Sequence, residues 1–319
     1  MAAAVQLIAY EIRSAGLELN AETVSNGDDP GDAPPATANE TADLVHHLIE
    51  TMTQVEFFDP RKPRRLPRRI RRLARDRGYR WTEARDVVEG PTLGVVAMAA
   101  GLDAEQILVP VSAASHDLVS VAQSTGVPCA LVSDQTFEGL TTTRTPQPAL
   151  AEVACHDVPV SDLAATQGTV LLLAGVGDPG NAGTLVRSAE AFGASGVVFA
   201  DGVDPYNPKV VRAAAGSTFR LPCALAPGPD PVQGAFEALK ADGYRLLATT
   251  PEGGIAPEGA PRDQPLVVVV GNEPHGLEDS LVAACDTVVS LPTGGGADSL
   301  NVAVAGAVLL YVLGRPTGW

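Results

Sequence analysis

The sequence predicts an α/β fold built around a mostly parallel sheet. Short apolar runs alternate with helix-like segments from about residue 86 onward, which is the order that parallel strands with crossover helices produce. Continuous Val and Leu runs such as "PLVVVVG" (265–271) are typical of strands buried on both faces. Glycine-rich loops follow several of these runs, at the strand ends where open α/β sheets bind ligands.

Composition and residue spacing predict a cytoplasmic protein with no membrane span and no metal. The chain has 319 residues, 45% of them hydrophobic, which is enough for two or three domains with sizeable cores. No apolar run reaches the length of a membrane-spanning helix, and the first residues lack the pattern of a secretory signal. The four cysteines lack C-x-x-C spacing and the five histidines form no cluster, so we expect reduced thiols and no metal site.

Changes in composition divide the chain into six segments. Pro, Gly, Asp and Asn are concentrated in 25–41, which predicts a flexible linker between two helical runs. An alternation of short strands and helices begins near residue 86 and changes to longer βα units after residue 168. The segments are an N-terminal helix (1–24), the linker (25–41), a basic helical extension (42–85), a small α/β domain (86–153), a second linker (154–168) and a larger α/β domain (169–319).

Half of the basic residues lie in one short segment of an acidic chain. Residues 58–80 hold eleven of the 22 Lys and Arg beside two Asp, although the chain's net charge is −16. Pro67 suits the first turn of a helix over this segment, and Gly78 can end it. Two interpretations stay open: a helix that contacts nucleic-acid phosphates, or a helix packed on its own acidic protein. In the first, the contacts come from Arg64, Arg65, Arg68, Arg69 and Arg72.

Each element is predicted from an apolar run or from helical spacing. In the small domain we predict strands at 86–90, 106–111, 128–133 and 149–154, with helices at 91–100 and 115–125 and a short helix after 133. In the larger domain we predict strands at 169–174, 196–200, 244–249, 266–270 and 287–291, and helices near 181–192, 207–215, 231–241, 277–284 and 300–313.

The loop after the strand at 169–174 imitates a dinucleotide-binding fingerprint. Residues 175–180 satisfy G-x-G-x-x-G, and Asp201 follows near the place of a ribose-binding acid. However, Asp178 would set a carboxylate against the pyrophosphate, and Pro179 removes a backbone N–H that should donate to it. We therefore do not expect an NAD site in this loop.

Polar residues follow three strands of the larger domain. Asn181, Gly183 and Arg187 open one helix, and Gly271-Asn272-Glu273 follows the strand at 266–270. The third group is the glycine loop at 291–301, which contains Leu291, Pro292, Ser299, Leu300 and Asn301. Each group sits where an open α/β sheet binds ligands, so we expect the three loops to form one pocket. A purely structural alternative stays open, in which Asn181, Ser299 and Asn301 are helix caps and Arg187 is a surface charge.

Together the three groups resemble the motifs of the SpoU/TrmH family of knotted SPOUT methyltransferases. Asn181-x-Gly183-x-x-x-Arg187 matches the first motif, Gly271-Asn272-Glu273 the second, and 291–301 the third, in the same order and spacing. Thr293 and Pro274-His275 depart from the family pattern and put the cofactor affinity in question. The resemblance implies a C-terminal trefoil knot over about 266–313 and a homodimer in which the knot regions pair.

The resemblance implies S-adenosylmethionine as methyl donor and a ribose 2′-hydroxyl of RNA as acceptor. It places the cofactor against Gly271, Asn272, Leu291, Pro292 and Leu300. It makes Arg187 the residue that stabilises the developing alkoxide, since an arginine is a poor free base. Glu273 would orient Arg187, Asn181 and Asn301 would bond the ribose, and Ser299 a phosphate. Arg212 is a further candidate phosphate contact.

The rest of the chain also resembles parts of RNA methyltransferases. Val88-Glu89-Gly90-Pro91 and Thr143-Arg144-Thr145-Pro146-Gln147 mark the small substrate-binding domain that often precedes a SpoU domain, which implies an RNA contact by Arg144. Residues 1–85 resemble the C-terminal tail of tRNA anticodon-loop ribose methyltransferases. The attached domain favours rRNA, most specifically 23S rRNA, and the tail favours tRNA as the alternative. A catalytically idle RNA-binding relative is a third possibility.

Overall fold

A computed structural model of the chain describes residues 55–57, 65–113, 122, 125–294 and 300–314, with the side chains of 55–57 and of Arg65 left out. These residues form two compact units, one ending at Ala154 and one beginning at Cys155, apart from Ala99–Leu102, which group with the second. The helices expected within 1–24 and 42–54, the linker at 25–41, most of the helix at 115–125, Arg64 and Ser299 lie outside the described residues.

The first unit is built on a five-stranded mixed sheet in the order β1-β4-β3-β5-β2. Strand β5 runs antiparallel to β2 and β3, while β1, β4 and β3 are parallel. All four strands predicted for the small domain are confirmed to within two residues, whereas β1 was missed because it lies in the segment predicted to be helical. The elements are β1 (Val55–Phe57), α1 (Arg65–Arg75), α2 (Arg77–Glu83), β2 (Arg85–Glu89), α3 (Pro91–Ala99), β3 (Ala104–Pro110), a 3₁₀ turn (Val111–Ala113), β4 (Cys129–Val132), α4 (Asp134–Glu138) and β5 (Leu150–Ala154).

The basic helix is shorter than expected and belongs to the core of this unit. Gly78 does not end it: α1 stops at Arg75, and Asp76 starts α2 by accepting a hydrogen bond from the Tyr79 N–H at 3.0 Å. Asp caps a helix well because its carboxylate satisfies a free N–H of the first turn. Ile70 and Leu73 are fully buried in a cluster that includes residues of β2, β3 and β5, so one hydrophobic core crosses the boundary placed at residue 86.

The second unit is a parallel six-stranded sheet in the order β11-β9-β10-β6-β7-β8. Its strands are β6 (Val170–Ala174), β7 (Gly196–Ala200), β8 (Cys223–Leu225), β9 (Arg245–Thr249), β10 (Leu266–Val270) and β11 (Thr287–Val289). Its helices are α5 (Val160–Ala164), α6 (Pro179–Ala191), α7 (Pro208–Ala214), α8 (Ser217–Arg220), α9 (Pro231–Ala241), α10 (Asp279–Ala284) and α11 (Val302–Leu313), with a 3₁₀ turn at Pro257–Gly259.

Helices cover both faces of this sheet, as the uninterrupted apolar strands predict. Along β10, Val268 and Val270 point into one buried cluster, while Val267 and Val269 point into the other. All five predicted strands of the unit are confirmed, whereas β8, α5 and α8 were missed. Helix α5 lies within 154–168, the segment predicted to be a linker. Strand β8 has only three residues, which is too few for a period to be recognised.

Two expectations from composition also concern the described residues. All four cysteines are free thiols, with Cys129 and Cys223 buried and Cys155 and Cys285 half-buried. None of the described helices combines the length and the apolar composition that crossing a membrane requires.

Candidate functional site

Three loops of the second unit meet at the carboxyl ends of its central strands. Strands β10 and β6 are neighbours, so the loop at 271–276 lies beside the loop at 175–180 that begins α6. The chain then returns after β11 to start α11, which packs against both α6 and β10. Sheet topology therefore gathers segments that are about 90 to 120 residues apart in the sequence, as the positions of the motifs predict.

A chain of hydrogen bonds joins the three motif segments. The Asn181 side-chain amide donates to the Glu273 carboxylate at 3.1 Å, and the Asn301 amide donates to the Asn181 side-chain oxygen at 3.0 Å. The Glu273 carboxylate also accepts the backbone N–H groups of Gly177 and Asp178, both at 3.0 Å. One carboxylate thus fixes the loop before α6, and one asparagine connects that loop to the start of α11.

The hydrogen bonds to Glu273 keep this residue ionised. Partial burial favours the neutral acid, but the N–H groups of Gly177 and Asp178 and the Asn181 amide outweigh it and hold the pKa of Glu273 below its usual range. The carboxylate is therefore an acceptor at neutral pH. Glu273 therefore holds hydrogen-bond donors of the neighbouring loop in place and does not act as a catalytic acid.

The start of α6 explains why the glycine fingerprint is not a dinucleotide site. Asp178 caps the helix by accepting the Asn181 N–H at 2.8 Å, and Pro179 is its first residue. Asn181 is therefore not the cap, contrary to the structural alternative for that residue. Glu273 takes the N–H groups of Gly177 and Asp178 that a pyrophosphate would need, and a second carboxylate, that of Asp178, stands at the same helix end.

Asn301 is a helix cap and a link between loops at the same time. Its side-chain oxygen accepts the N–H groups of Ala303 and Val304 at 2.9 and 3.3 Å, which starts α11. Its amide nitrogen is the donor to Asn181. Asn301 is therefore the helix cap that the structural alternative expects, and its other end joins the motif loops; the ribose contact stays a prediction.

The loop after β10 is folded into a tight turn with no room for a side chain at its start. Asn272 and Gly276 exchange two backbone hydrogen bonds of 3.0 and 2.8 Å, and the Asn272 amide donates to the Gly175 carbonyl at 2.9 Å. A Cβ added to Gly271 would lie 2.3 Å from the Gly276 carbonyl carbon. Glycine at 271 is thus required by the close approach of the two ends of the turn.

A cavity of about 300 Å³ opens beside these loops. Four residues predicted to contact a cofactor line it, namely Gly271, Asn272, Leu291 and Leu300. Pro292, the fifth, is exposed and is not among the lining residues. Apolar side chains of α11 and β11 form one wall, while the polar residues come from the loops after β9 and β10.

Sequence reasoning missed the contribution of the loop after β9. Thr249, Thr250, Pro251 and Glu252 all line the cavity. Thr250 donates to the Glu252 carbonyl at 2.8 Å, and Ser290 at the end of β11 accepts the Gly254 N–H at 2.9 Å, so the loop is fastened on both sides. The signal was present, because "TTPEGG" follows a buried strand in the same way as the three motifs do.

The cavity suits a small organic ligand with polar groups. Its volume lies at the lower end of the range for small-molecule sites, and its wall combines apolar and polar residues. The side-chain oxygen of Asn272 is buried and has no hydrogen-bond partner among the described residues. Such an oxygen is costly to bury without a donor.

Arg187 is not oriented by Glu273. It lies six residues beyond Asn181, about one and two-thirds helical turns along α6, so the two side chains leave the helix in different directions. The guanidinium is exposed and has no hydrogen-bond or ion-pair partner among the described residues.

Gly183, which lies between Asn181 and Arg187 in the sequence, lets α6 pack closely on α7, since a Cβ there would lie 2.5 Å from the Val210 carbonyl oxygen. Arg212, on α7, is half-buried.

The arginines predicted to bind RNA differ in whether they form ion pairs and hydrogen bonds with other residues of the chain. Arg69 is half-buried and forms ion pairs with Glu83 and with the fully buried Glu152, so it is held against the first unit. Arg72 lies over the Tyr79 ring at 4.0 Å and donates to Asp76. Arg68 and Arg144 are exposed and have no such partner in the part of the chain that the structure describes. The packing interpretation of the basic helix therefore applies to Arg69 and Arg72, and the phosphate contact stays a prediction for Arg68.

A family model and a curated relative match this chain. Residues 168–311 match the model of the SpoU rRNA methylase family. The 23S rRNA (guanosine(2553)-2′-O)-methyltransferase RlmP of Bacillus subtilis is 39% identical over 190 residues, which are 59% of this chain and 73% of RlmP. This chain belongs to the SpoU rRNA methylase family. A second SpoU relative, the 23S rRNA (uridine(2479)-2′-O)-methyltransferase of Streptomyces viridochromogenes, is 40% identical over 42% of this chain and 47% of its own length.

Solved structures of SpoU methyltransferases share the fold. The methyltransferase AviRb of Streptomyces viridochromogenes, solved in complex with the cofactor AdoMet, is 27% identical, with a TM-score of 0.69 over 79% of this chain and 97% of AviRb. An AdoMet-bound rRNA methyltransferase of Sinorhizobium meliloti is 26% identical, with a TM-score of 0.70 over 82% of this chain and 97% of that protein. The predicted fold class is thereby confirmed.

Proposed function

We propose that the protein transfers a methyl group from S-adenosylmethionine to a ribose 2′-hydroxyl of 23S rRNA. The observation that carries the proposal is the hydrogen-bonded chain Glu273–Asn181–Asn301, which brings three SpoU motifs together beside a cavity of cofactor size. Relatives named as 23S rRNA 2′-O-methyltransferases and structural neighbours solved with AdoMet support the same reaction.

The cavity is the proposed cofactor site. When bound, S-adenosylmethionine supplies a methyl group on a sulfonium, which is already a strong electrophile. Gly271, Asn272, Leu291 and Leu300 line the cavity and offer backbone and apolar contacts. Pro274 and His275 also line the cavity, so the departure from the family pattern lies where it can affect cofactor affinity.

The remaining chemistry is the placement and deprotonation of a sugar hydroxyl. Correct placement of two reacting groups can contribute about 7–11 kcal/mol to lowering a barrier. Asn181 and Asn301 are held at the edge of the site as the proposed ribose contacts, with Ser299 beside them in sequence as the phosphate contact. Arg187, an exposed guanidinium, is the proposed stabiliser of the alkoxide charge, and Glu273 acts by holding Asn181.

RNA contacts are proposed on both units. Arg64, Arg65 and Arg68 on the basic segment, Arg144 on the small domain and Arg212 beside α6 supply cations for phosphates. An rRNA substrate implies that the protein works in the cytoplasm.

Helix α11 supports the proposal of a homodimer. It buries Leu309, Leu310 and Leu313 in its own unit. Its opposite face leaves Val304, Val308 and Tyr311 between 41% and 51% exposed, at the four- and three-residue spacing of one stripe. A second copy of the same helix would cover this stripe. The trefoil knot expected over residues 266–313 stays a prediction, which tracing the backbone in an experimental density map would test.

A methyl-transfer assay tests the proposed function. The purified protein is incubated with S-adenosylmethionine labelled in its methyl group and, separately, with deproteinised 23S rRNA and bulk tRNA. We expect label in 23S rRNA, at a ribose that becomes resistant to alkaline cleavage, and none in tRNA. Label in tRNA alone would replace the substrate, and cofactor binding without any transfer would point to the idle relative.

A further inference from the structure

The first unit contains a loop, 143–147, whose two ends are held by one buried carboxylate. Glu89 ends β2 and is only 6% exposed. Its Oε1 accepts a hydrogen bond from the Thr143 hydroxyl and another from the Gln147 N–H at 3.2 Å. The Gly90 N–H donates to the Ala149 carbonyl at 2.9 Å, which fixes the chain just after the loop. Two segments more than 50 residues apart are thereby locked together.

Because the Glu89 side chain is buried, the fold depends on the hydrogen bonds that its carboxylate accepts. An ionised carboxylate taken out of water is costly unless donors replace its hydration. Thr143 and Gln147 are such donors, and both reach the same oxygen atom. The loop between them is therefore closed at its base, which leaves its three central residues few conformations to choose from.

The loop presents one cation to solvent. Arg144 is exposed and has no hydrogen-bond or ion-pair partner among the described residues. The first unit's other arginines are more often engaged: Arg71 and Arg75 donate to carbonyls near the end of α4, and Arg85 pairs with Asp103. Arg144 thus combines a fixed backbone with an unoccupied guanidinium, the group best suited to a phosphate.

We propose that Glu89 is a positioning residue for RNA binding: by holding both ends of loop 143–147, it presents Arg144 to a phosphate of the substrate RNA. This inference rests on the proposed function. A loop ordered before binding loses less conformational entropy when the complex forms. Removing Glu89 itself would leave Thr143 and Gln147 without an acceptor and endanger folding, so the test acts on the donor.

The test compares four variants for binding to deproteinised 23S rRNA over a range of salt concentrations. Thr143→Val removes the hydroxyl with little change of shape, Thr143→Ser keeps it, Arg144→Ala removes the cation, and the fourth variant combines Thr143→Val with Arg144→Ala. We expect Arg144→Ala to weaken binding several-fold and to reduce the salt slope by about one. Thr143→Val should weaken binding in part, Thr143→Ser should match the parent, and Thr143→Val should add nothing once Arg144 is gone.

Any of three results would overturn the inference: a Thr143→Val variant that binds RNA like the parent, losses from Thr143→Val and Arg144→Ala that add in full, or an Arg144→Ala variant that binds RNA like the parent. Thermal unfolding of each variant shows that binding is compared between folded proteins. The parent protein separates the two proposals. If it neither binds nor methylates the RNA, the proposed function fails; if it does both while Arg144→Ala binds equally well, only the positioning role fails.

Discussion

At the scale of single residues, Glu273 holds the start of α6 in place. Its carboxylate accepts bonds from three donors on the loop that begins α6. Glu273→Gln keeps the size but turns one acceptor into a donor that faces backbone N–H groups. Hydrogen bonds to a charged group contribute about 1.5–3 kcal/mol, so we predict a fall of roughly 10- to 100-fold in kcat/KM for methyl transfer. Glu278→Gln, at an exposed acid without a capping bond, is the matched control; equal activity of both variants would contradict the prediction.

The same carboxylate gives the stability a pH dependence of known sign. Because the folded state lowers the pKa of Glu273, its contribution is complete above the usual Glu pKa of about 4.3 and is lost as pH falls through the lowered value. We predict that the difference in unfolding free energy between the parent and Glu273→Gln is constant near neutral pH and shrinks in acid. Denaturant titrations at a series of pH values measure it, and a difference that grows in acid would have the wrong sign.

Gly271 provides a prediction on the cofactor alone. Gly271→Ala places a methyl group 2.3 Å from the Gly276 carbonyl carbon, so the turn that lines the cavity must open. We expect S-adenosylmethionine binding, measured by calorimetry, to weaken at least about tenfold, since a loss of 1.4 kcal/mol is already that large. Gly234→Ala on α9, where no atom lies within 4 Å of the added carbon, should bind like the parent. Similar affinities for all three proteins would show that the turn does not contribute to cofactor binding.

At the scale of elements, α11 has two faces with different roles. One face closes the core of the second unit, and the other is the exposed stripe of Val304, Val308 and Tyr311. Replacing Val304 and Val308 by Asp would set charges against a second copy while leaving the core face intact. We predict a dimer for the parent and a monomer for this variant, by size-exclusion chromatography with light scattering. A parent protein that is already monomeric would remove the proposed interface.

At the scale of the whole molecule, we expect the clustering of basic residues to affect RNA binding more than the net charge does. A chain of net charge −16 should repel RNA, yet half of its cations lie in 58–80. We predict that binding of 23S rRNA weakens steeply as the salt concentration rises. The double variant Arg68→Ala/Arg77→Ala changes two exposed arginines without a described partner. It should reduce the salt slope of binding by about 0.9 for each phosphate that the protein no longer neutralises. Arg69→Ala should instead lower the melting temperature, because it removes the only cation paired with the buried Glu152 among the described residues. A slope unchanged by the first pair would favour the packing role for the whole helix.

Much of the second unit could be predicted because its signals are local. Uninterrupted Val and Leu runs marked five of its six strands, and the position of polar residues just after three of them marked the site. The same rule would have found Thr249–Glu252, had it been applied to β9. Elements without a periodic signal were not predictable in this way: β8 is three residues long, and the break between α1 and α2 depends on one capping carboxylate, Asp76.

Sequence alone was sufficient to place the three motifs and to name the family to which they belong, because spacing within a strand, a loop and a helix is a property of the chain. Their partners came only from the folded molecule. That Glu273 binds Asn181 rather than Arg187, that Asn301 both caps α11 and reaches Asn181, and that Arg69 pairs with the buried Glu152 depends on which strands are neighbours. The neighbouring strands that gather the site, β6 and β10, are more than 90 residues apart in the sequence, and no local pattern encodes their pairing.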